Sequence, residues 1–352
     1  MGLRVVVPDC LGYGRTEAPE FTTESARLYG FKQCAADMKE LARQLGTSKI
    51  ILGGHDWFVS LRAWLKPTFW PMLPSSIVSS SLIVSLQLRG GVIVYRIALH
   101  YPEFITHIFS VCTPYSPPQR EFVPLDELVA TRLPFFGYQL QFMSGELEKA
   151  IQTKRDIRQF LIALYEGRTS KGEFGCDVRK GVLLDKLPAL QPSRLLTEEV
   201  CSRCVWSSCG SNQVLNGCFI RNWIIMLKNT PKAESTVHVS AVISFCIPDL
   251  LSMNMDFDNC HLVNWYRTRE QNYKDELELI GREIDIPVLF IGATKDPALR
   301  PELSKGMEKY IPKLTRAEVD GTHWVLWQKP EDCNKIIERW IEEVVFGGQS
   351  RM

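Results

Sequence analysis

The chain reads as an open α/β fold whose chemistry sits at the ends of a parallel sheet. Three observations lead there. Short β-branched, apolar runs recur along the sequence: LRVVVPD, SKIILGGHD, ITHIFSVCTP and IPVLFIGATKD. Without polar alternation, such runs suit strands buried on both faces of a parallel sheet. Stretches with helical period alternate with them. Glycine, proline or acidic loops follow the strands, and sheets of this kind bind ligands at the carboxyl edge.

In chain order, LRVVVPD is the first strand and CLGYGRTEAP its loop. Phe31 to Gly46 has helical period, with Met38, Leu41, Ala42 and Leu45 on one face and Gly46 as the stop. SKIILGGHD is the second strand, VIVYRIALHYPE a helix and ITHIFSVCTP a further strand. IPVLFIGATKD and LTRAEVDGTHW form two more strand-plus-loop units. A closing helix carries Ile336, Ile337, Trp340, Ile341 and Val344 on one face. The middle of the chain loses the alternation and holds helix-like pieces such as SGELEKAIQTKRDIRQFLIALYEG. The expected organisation is an N-terminal part of the core over 1–115, an inserted helical cap over 116–277, and a C-terminal part of the core over 278–352.

Composition narrows the function classes. With 41 basic and 40 acidic residues the net charge is +1, so no electrostatic footprint points to nucleic acid or anionic membrane. No run reaches the roughly 18 apolar residues of a membrane span. The nearest, Ser75–Leu88 and Val239–Met253, are interrupted by serine, charge or proline, so a soluble chain is expected. MGLRVVVPDC has no charged region ahead of a long apolar core, and Val6 stands where myristoylation needs serine or threonine. The eleven cysteines are therefore read as thiols in a reducing interior. Cys201 and Cys204 have C-x-x-C spacing, but no second pair follows at zinc-knuckle spacing and no metal site is predicted. The tail Ser350-Arg351-Met352 is similar to an SKL-type peroxisomal address; without it the expected location is cytoplasmic.

Asp56, Asp296 and His323 each fall just past a strand. Singly, each has an ordinary structural reading, as a helix cap, a turn residue or a hydrogen-bonded surface histidine. Together they can do chemistry. ILGGHDW approaches a strand-to-helix elbow, where a carboxylate can attack carbon and form an ester. A histidine oriented by a second carboxylate can then activate the water that cleaves it.

GGHDW, IGATKDPALRP, GTHWVLWQKPE, LGYGRT, YRIALHYPE, GYQLQF and NWYRTRE together resemble the soluble epoxide hydrolases of the α/β-hydrolase fold. The resemblance covers most of the chain. It implies a mostly parallel sheet flanked by helices with an inserted helical cap, acting on a small-molecule epoxide and water without cofactor or metal. By it Asp56 is the nucleophile, Asp296 the orienting acid and His323 the water-activating base. Tyr138 in GYQLQF and Tyr266 in NWYR match two cap tyrosines that hydrogen-bond the epoxide oxygen. Trp57 would offer its backbone N–H to an oxyanion hole, while Trp265 and Trp324 line the pocket or fill core. An apolar cap suggests a hydrophobic substrate, of lipid or secondary-metabolite type. A haloalkane dehalogenase would share the aspartate and the following tryptophan, but a halide leaving group needs no proton from a tyrosine pair.

Three departures stand against that pattern. Removing Phe58–Arg89 would restore an unbroken GGHDWGGVIVYRIALHYPE, so these residues read as a foreign insert. Phe58 at the tight turn would overpack at a cost of about 1–3 kcal/mol. A second anomalous stretch covers about 201–260. The family's first strands, with the His-Gly-X-Pro loop that supplies the other oxyanion donor, are expected to be absent; one such donor is worth about 10²–10³ in rate. The competing reading is a truncated, mis-spliced and catalytically silent remnant.

Overall fold

The computed structural model describes residues 4–6, 8, 10–12, 16–56, 82–86, 90–196 and 261–347. Trp57, most of 58–89, the cysteine-rich stretch 201–260 and the tail Ser350–Met352 lie outside the described residues. Among the described residues, six strands form the main sheet: β1 (Arg4–Val6), β2 (Ile50–His55), β3 (Leu82–Leu86), β4 (Ile105–Val111), β5 (Val288–Ala293) and β6 (Leu314–Val319). They lie in the order β1-β3-β2-β4-β5-β6 and every pairing is parallel. All residues of β2 and β5 are buried, in keeping with their unbroken apolar runs. β6 differs: Thr315, Arg316 and Glu318 are exposed, and among the described residues it is an edge strand. Charge on an edge discourages pairing with another chain.

β3 departs from the reading of 58–89 as foreign sequence. It lies between β1 and β2 and pairs with both, Leu82 standing opposite Arg4 on one side and Ile50 on the other. At least this end of the segment belongs to the sheet.

Helix α1 (Phe31–Gln44) buries Phe31, Cys34, Ala35, Met38 and Ala42. It stops where Gly46 takes φ +79°, a conformation that costs glycine little. Leu41 and Leu45, expected on the same face, are only half-buried. Helix α2 (Gly90–His100) is buried at nearly every position, packed against the sheet and beneath α1. It begins against the end of β2: a Cβ on Gly54 would collide with the carbonyl of Gly90. Asp56 and the helix that follows it in the elbow pattern are therefore adjacent in space, although 57–89 separates them in sequence.

Between β4 and β5 the chain forms α3 (Leu125–Thr131), α4 (Tyr138–Ser144), α5 (Lys154–Leu164) and α6 (Arg269–Glu276). The helix-like stretch SGELEKAIQTKRDIRQFLIALYEG forms two helices, a short one over Glu146–Ala150 and then α5, parted near Thr153. The Thr153 hydroxyl accepts from Asp156 N at 3.1 Å and the Asp156 carboxylate accepts from Thr153 N at 2.9 Å, a capping box that starts α5 afresh. Two contacts tie this region to the sheet body. Arg96 on α2 pairs with Glu276 on α6 at 2.8 Å and donates to the Ser116 carbonyl at 2.9 Å. Asn272 on α6 accepts the Phe31 N–H at the start of α1, at 2.8 Å.

The closing helix α7 (Pro330–Trp340) buries Cys333, Ile337 and Trp340. Past Trp340 the backbone widens into a π-turn over Ile341–Val345. The wider turn rotates Val344 off the apolar face, and it is exposed rather than buried. No helix among the described residues is long and apolar enough to cross a membrane.

Candidate active site

The carboxyl ends of β2, β4, β5 and β6 meet at one edge of the sheet. Asp56 leaves β2 fully buried with φ 69°, in the left-handed region that non-glycine residues seldom occupy. Such backbone strain clusters at functional sites. Asp296 follows β5 and His323 follows β6.

His323 links the two carboxylates. Its Nδ1 lies 2.6 Å from Asp296 Oδ2, and its Nε2 is hydrogen-bonded to Asp56 Oδ1. Asp296 is fixed by its other oxygen, which accepts from Ala298 N at 2.9 Å and Leu299 N at 2.8 Å. Burial opposes the charge on both partners, but attraction wins. Burial alone would strip the His323 proton, yet the Asp296 and Asp56 charges hold its pKa well above the ordinary value. Burial also pushes Asp296 up, and the His323 charge with the two amides leaves it below the usual carboxylate range.

The backbone of His323 is held as firmly as its ring. His55 Nε2 lies 3.0 Å from the His323 carbonyl oxygen, and Cys112 Sγ approaches the same oxygen at 3.5 Å. Burial lowers the His55 pKa to about 4, so near neutrality the ring is uncharged and its Nε2–H donates. Burial pushes the Cys112 thiol up and keeps its proton. Cys112, at the end of β4, also has positive φ, 63°.

Cys112, Asp296 and His323 bring potential metal-ligand atoms within 4.8 Å of one another, the one such group among the described residues. The Asp296 and His323 atoms are already engaged with each other and the thiol stays protonated, so the arrangement is a hydrogen-bonded relay rather than a ligand set. The C-x-x-C pair Cys201 and Cys204 lies outside the described residues.

Tyr138 and Tyr266 are both buried, with ring centroids 6.3 Å apart and planes at 76°. Phe142 packs edge-on to both, at 5.6 Å from Tyr138 and 5.1 Å from Tyr266. The Tyr138 hydroxyl accepts from Gln139 Nε2 at 3.3 Å. Trp324 lies beside the relay, 5.4 Å from the His323 ring, and its Nε1 donates to Leu164 O at 3.1 Å. Trp265 is engaged elsewhere: its Nε1 donates to Leu11 O at 2.9 Å and its ring meets Tyr29 edge-on. It ties down the loop after β1.

Sequence reading missed His55, Cys112 and Glu166. His55 adjoins Asp56 in GGHDW, a local hint. Nothing in the sequence marks Cys112 or Glu166, because their positive φ and their contacts around His323 arise only in the folded chain.

No family model matches the chain. It is 32% identical, over 97% of its length and 80% of the relative's, to an epoxide hydrolase, srdG, of Neurospora crassa. It is 27% identical over 98% of its length to bifunctional epoxide hydrolase 2 of Mus musculus, spanning 48% of that protein, about half its length. Among solved structures it superposes on epoxide hydrolase VrEH1 of Vigna radiata with TM-score 0.59 at 17% identity, covering 96% of this chain and 81% of that one. Epoxide hydrolase A of Mycobacterium thermoresistibile matches with TM-score 0.55 at 19% identity, covering 93% and 78%.

Proposed function

Because the chain belongs to the epoxide hydrolases of the α/β-hydrolase fold, we propose that Asp56, His323 and Asp296 open an epoxide to a vicinal diol through an ester on Asp56. The observation that carries this reading is the His323 ring held between two buried carboxylates, one of them on a strained left-handed backbone.

In the first half-reaction the Asp56 carboxylate attacks an epoxide carbon and the carbon–oxygen bond breaks. Tyr138 and Tyr266, whose rings share one buried aromatic cluster, stabilise the alkoxide and supply its proton. Forming the ester neutralises Asp56. One of the two charges that keep the proton on His323 then disappears, so its pKa falls and the ring gives that proton up. The proton replaces the one the tyrosine pair supplied, leaving a neutral imidazole free to act as base. His323, oriented by Asp296, takes a proton from water, and the hydroxide attacks the ester carbonyl. The tetrahedral intermediate collapses, the departing oxygen takes back the proton held by His323, the diol leaves and the Asp56 carboxylate is regenerated. The family resemblance gives Trp57, next in sequence, the role of backbone N–H donor to the tetrahedral intermediate.

The test is a single turnover in heavy-oxygen water. The label is expected in the Asp56 carboxylate and not in the diol; label appearing in the diol at first turnover would rule the ester out. A dehalogenase reading draws nothing from the tyrosine pair.

The buried aromatic cluster of Phe136, Phe142 and the two tyrosines supports a hydrophobic, lipid-like or secondary-metabolite epoxide. The Ser350-Arg351-Met352 tail supports delivery to the peroxisome. A fluorescent fusion bearing these residues at its C-terminus should be punctate, and diffuse once they are removed.

A further inference from the structure

Among the described residues, three non-glycine residues have positive φ: Asp56, Cys112 and Glu166. The first two touch His323 directly. Glu166, at φ 64°, has no part in the relay, and its conformation needs its own account. It occupies the position just past the end of α5 where helices commonly take glycine. The Gly167 N–H closes onto the Ile162 carbonyl at 2.8 Å, the 6→1 bond of a Schellman motif, so the left-handed residue is Glu166 and the glycine comes one place later.

The carboxylate explains the choice. Glu166 Oε1 accepts from the Thr322 hydroxyl at 2.6 Å and from Gln328 Nε2 at 3.3 Å. Gln328 returns to Thr322, accepting its backbone N–H and donating to its hydroxyl, each at 2.8 Å. Thr322 immediately precedes His323. The two residues before Glu166 grip the other side, Leu164 O accepting the Trp324 indole N–H and the Tyr165 ring stacking on Trp324. Three consecutive residues at the end of α5 thus hold both neighbours of His323.

We propose that Glu166 is a positioning residue for ester hydrolysis, setting the angle at which His323 presents its ring to water. The idea rests on the role given to His323 above. Alkylation of Asp56 needs no base, whereas hydrolysis does, so loosening His323 slows the second half-reaction alone. A misplacement of this kind costs about 10- to 100-fold.

The experiment is to mix enzyme with styrene oxide, quench on the millisecond scale and weigh the intact protein for the ester adduct. His323→Gln serves as the reference. Glu166→Gly removes the carboxylate while relieving the backbone, so it is expected to fold with an unchanged or raised Tm. It should nevertheless accumulate ester, with hydrolysis about tenfold or more slower and alkylation at the wild-type rate. Glu166→Gln keeps an acceptor for Thr322 and should restore most of the hydrolysis rate. If His323→Gln traps ester while Glu166→Gly hydrolyses it as fast as wild type, Glu166 only ends a helix and the proposal falls, leaving the role of His323 intact. If Glu166→Gly slows alkylation and hydrolysis alike, the positioning role also falls. If His323→Gln accumulates no ester, the reading of His323 fails and takes this proposal with it.

Discussion

Trp324 lies flat against Tyr165, ring centroids 4.1 Å apart with 24° between the planes. One ring follows His323 in the loop after β6; the other stands at the end of α5, in the chain between β4 and β5. The contact therefore closes that region onto the relay, with the indole N–H fixed on Leu164 O. Trp324→Phe keeps a ring but loses the hydrogen bond, and should cost about 1 kcal/mol in urea unfolding. Trp324→Ala loses the packing as well and should cost about 3–5 kcal/mol.

On the proposed mechanism Asp56→Ala removes the nucleophile, and product formation should fall by about 10⁴-fold or more. Alanine also tolerates the left-handed backbone less well than aspartate, at about 1 kcal/mol. Asp56→Asn keeps that tolerance and should be equally inactive with a smaller change in Tm. Turnover in either variant, measured as diol released, would remove Asp56 from the mechanism.

Single replacements Tyr138→Phe and Tyr266→Phe should each lower kcat by about 10²-fold, with little effect on KM, because on the proposed mechanism each removes one donor to the developing alkoxide. The double variant should lose markedly more. Steady-state kinetics on an aryl epoxide decides it.

Stability should fall in acid for a reason that can be assigned. His55 has its pKa depressed from 6.5 to about 4 by burial, so between those values the unfolded chain binds the extra proton. Its contribution is present above about pH 6.5 and is lost as pH falls toward 4, amounting to about 3 kcal/mol. His323 has the opposite sign: its pKa is raised, so its contribution is complete below pH 6.5 and fades as pH climbs through the raised value. His55→Gln should flatten the Tm profile between pH 6.5 and 4. Some slope will persist, because burial depresses His100 and His107 in the same direction.

Arg96 and Glu276 form a nearly buried pair at 2.8 Å, joining α2 to α6. Removing either partner strands the other charge and should cost about 3–5 kcal/mol. Replacing both with apolar residues should cost less than either single change. A denaturant double-mutant cycle measures the difference.

Much of this molecule can be read from short windows of sequence. The runs ending at His55, Val111 and Ala293 are strands, and Asp56, Asp296 and His323 emerge from the same sheet edge because strand ends of a parallel sheet share it. Other features depend on partners far away in the chain. LIVSL is apolar enough to be a strand, but its place between β1 and β2 is set by long-range parallel pairing that no local pattern encodes. Glu166 is a good helix former followed by a glycine, so a window places the helix stop one residue late and hides the left-handed carboxylate. The π-turn that turns Val344 outward follows from backbone hydrogen bonding, and its side-chain sequence is compatible with a continued α-helix.

The close approach of Gly54 to Gly90 bears on chain entropy. Strand β2 and helix α2 are aligned by that contact, with the connecting residues 57–89 running between fixed ends and supplying β3 on the way. Closure of a flexible loop grows only with the logarithm of its length, about 0.6 kcal/mol per doubling. In the unfolded chain, bringing Gly54 and Gly90 together therefore costs only a little more than it would across a shorter connection. Cutting into Leu82–Leu86 should cost far more, since β1 meets the rest of the sheet through that strand.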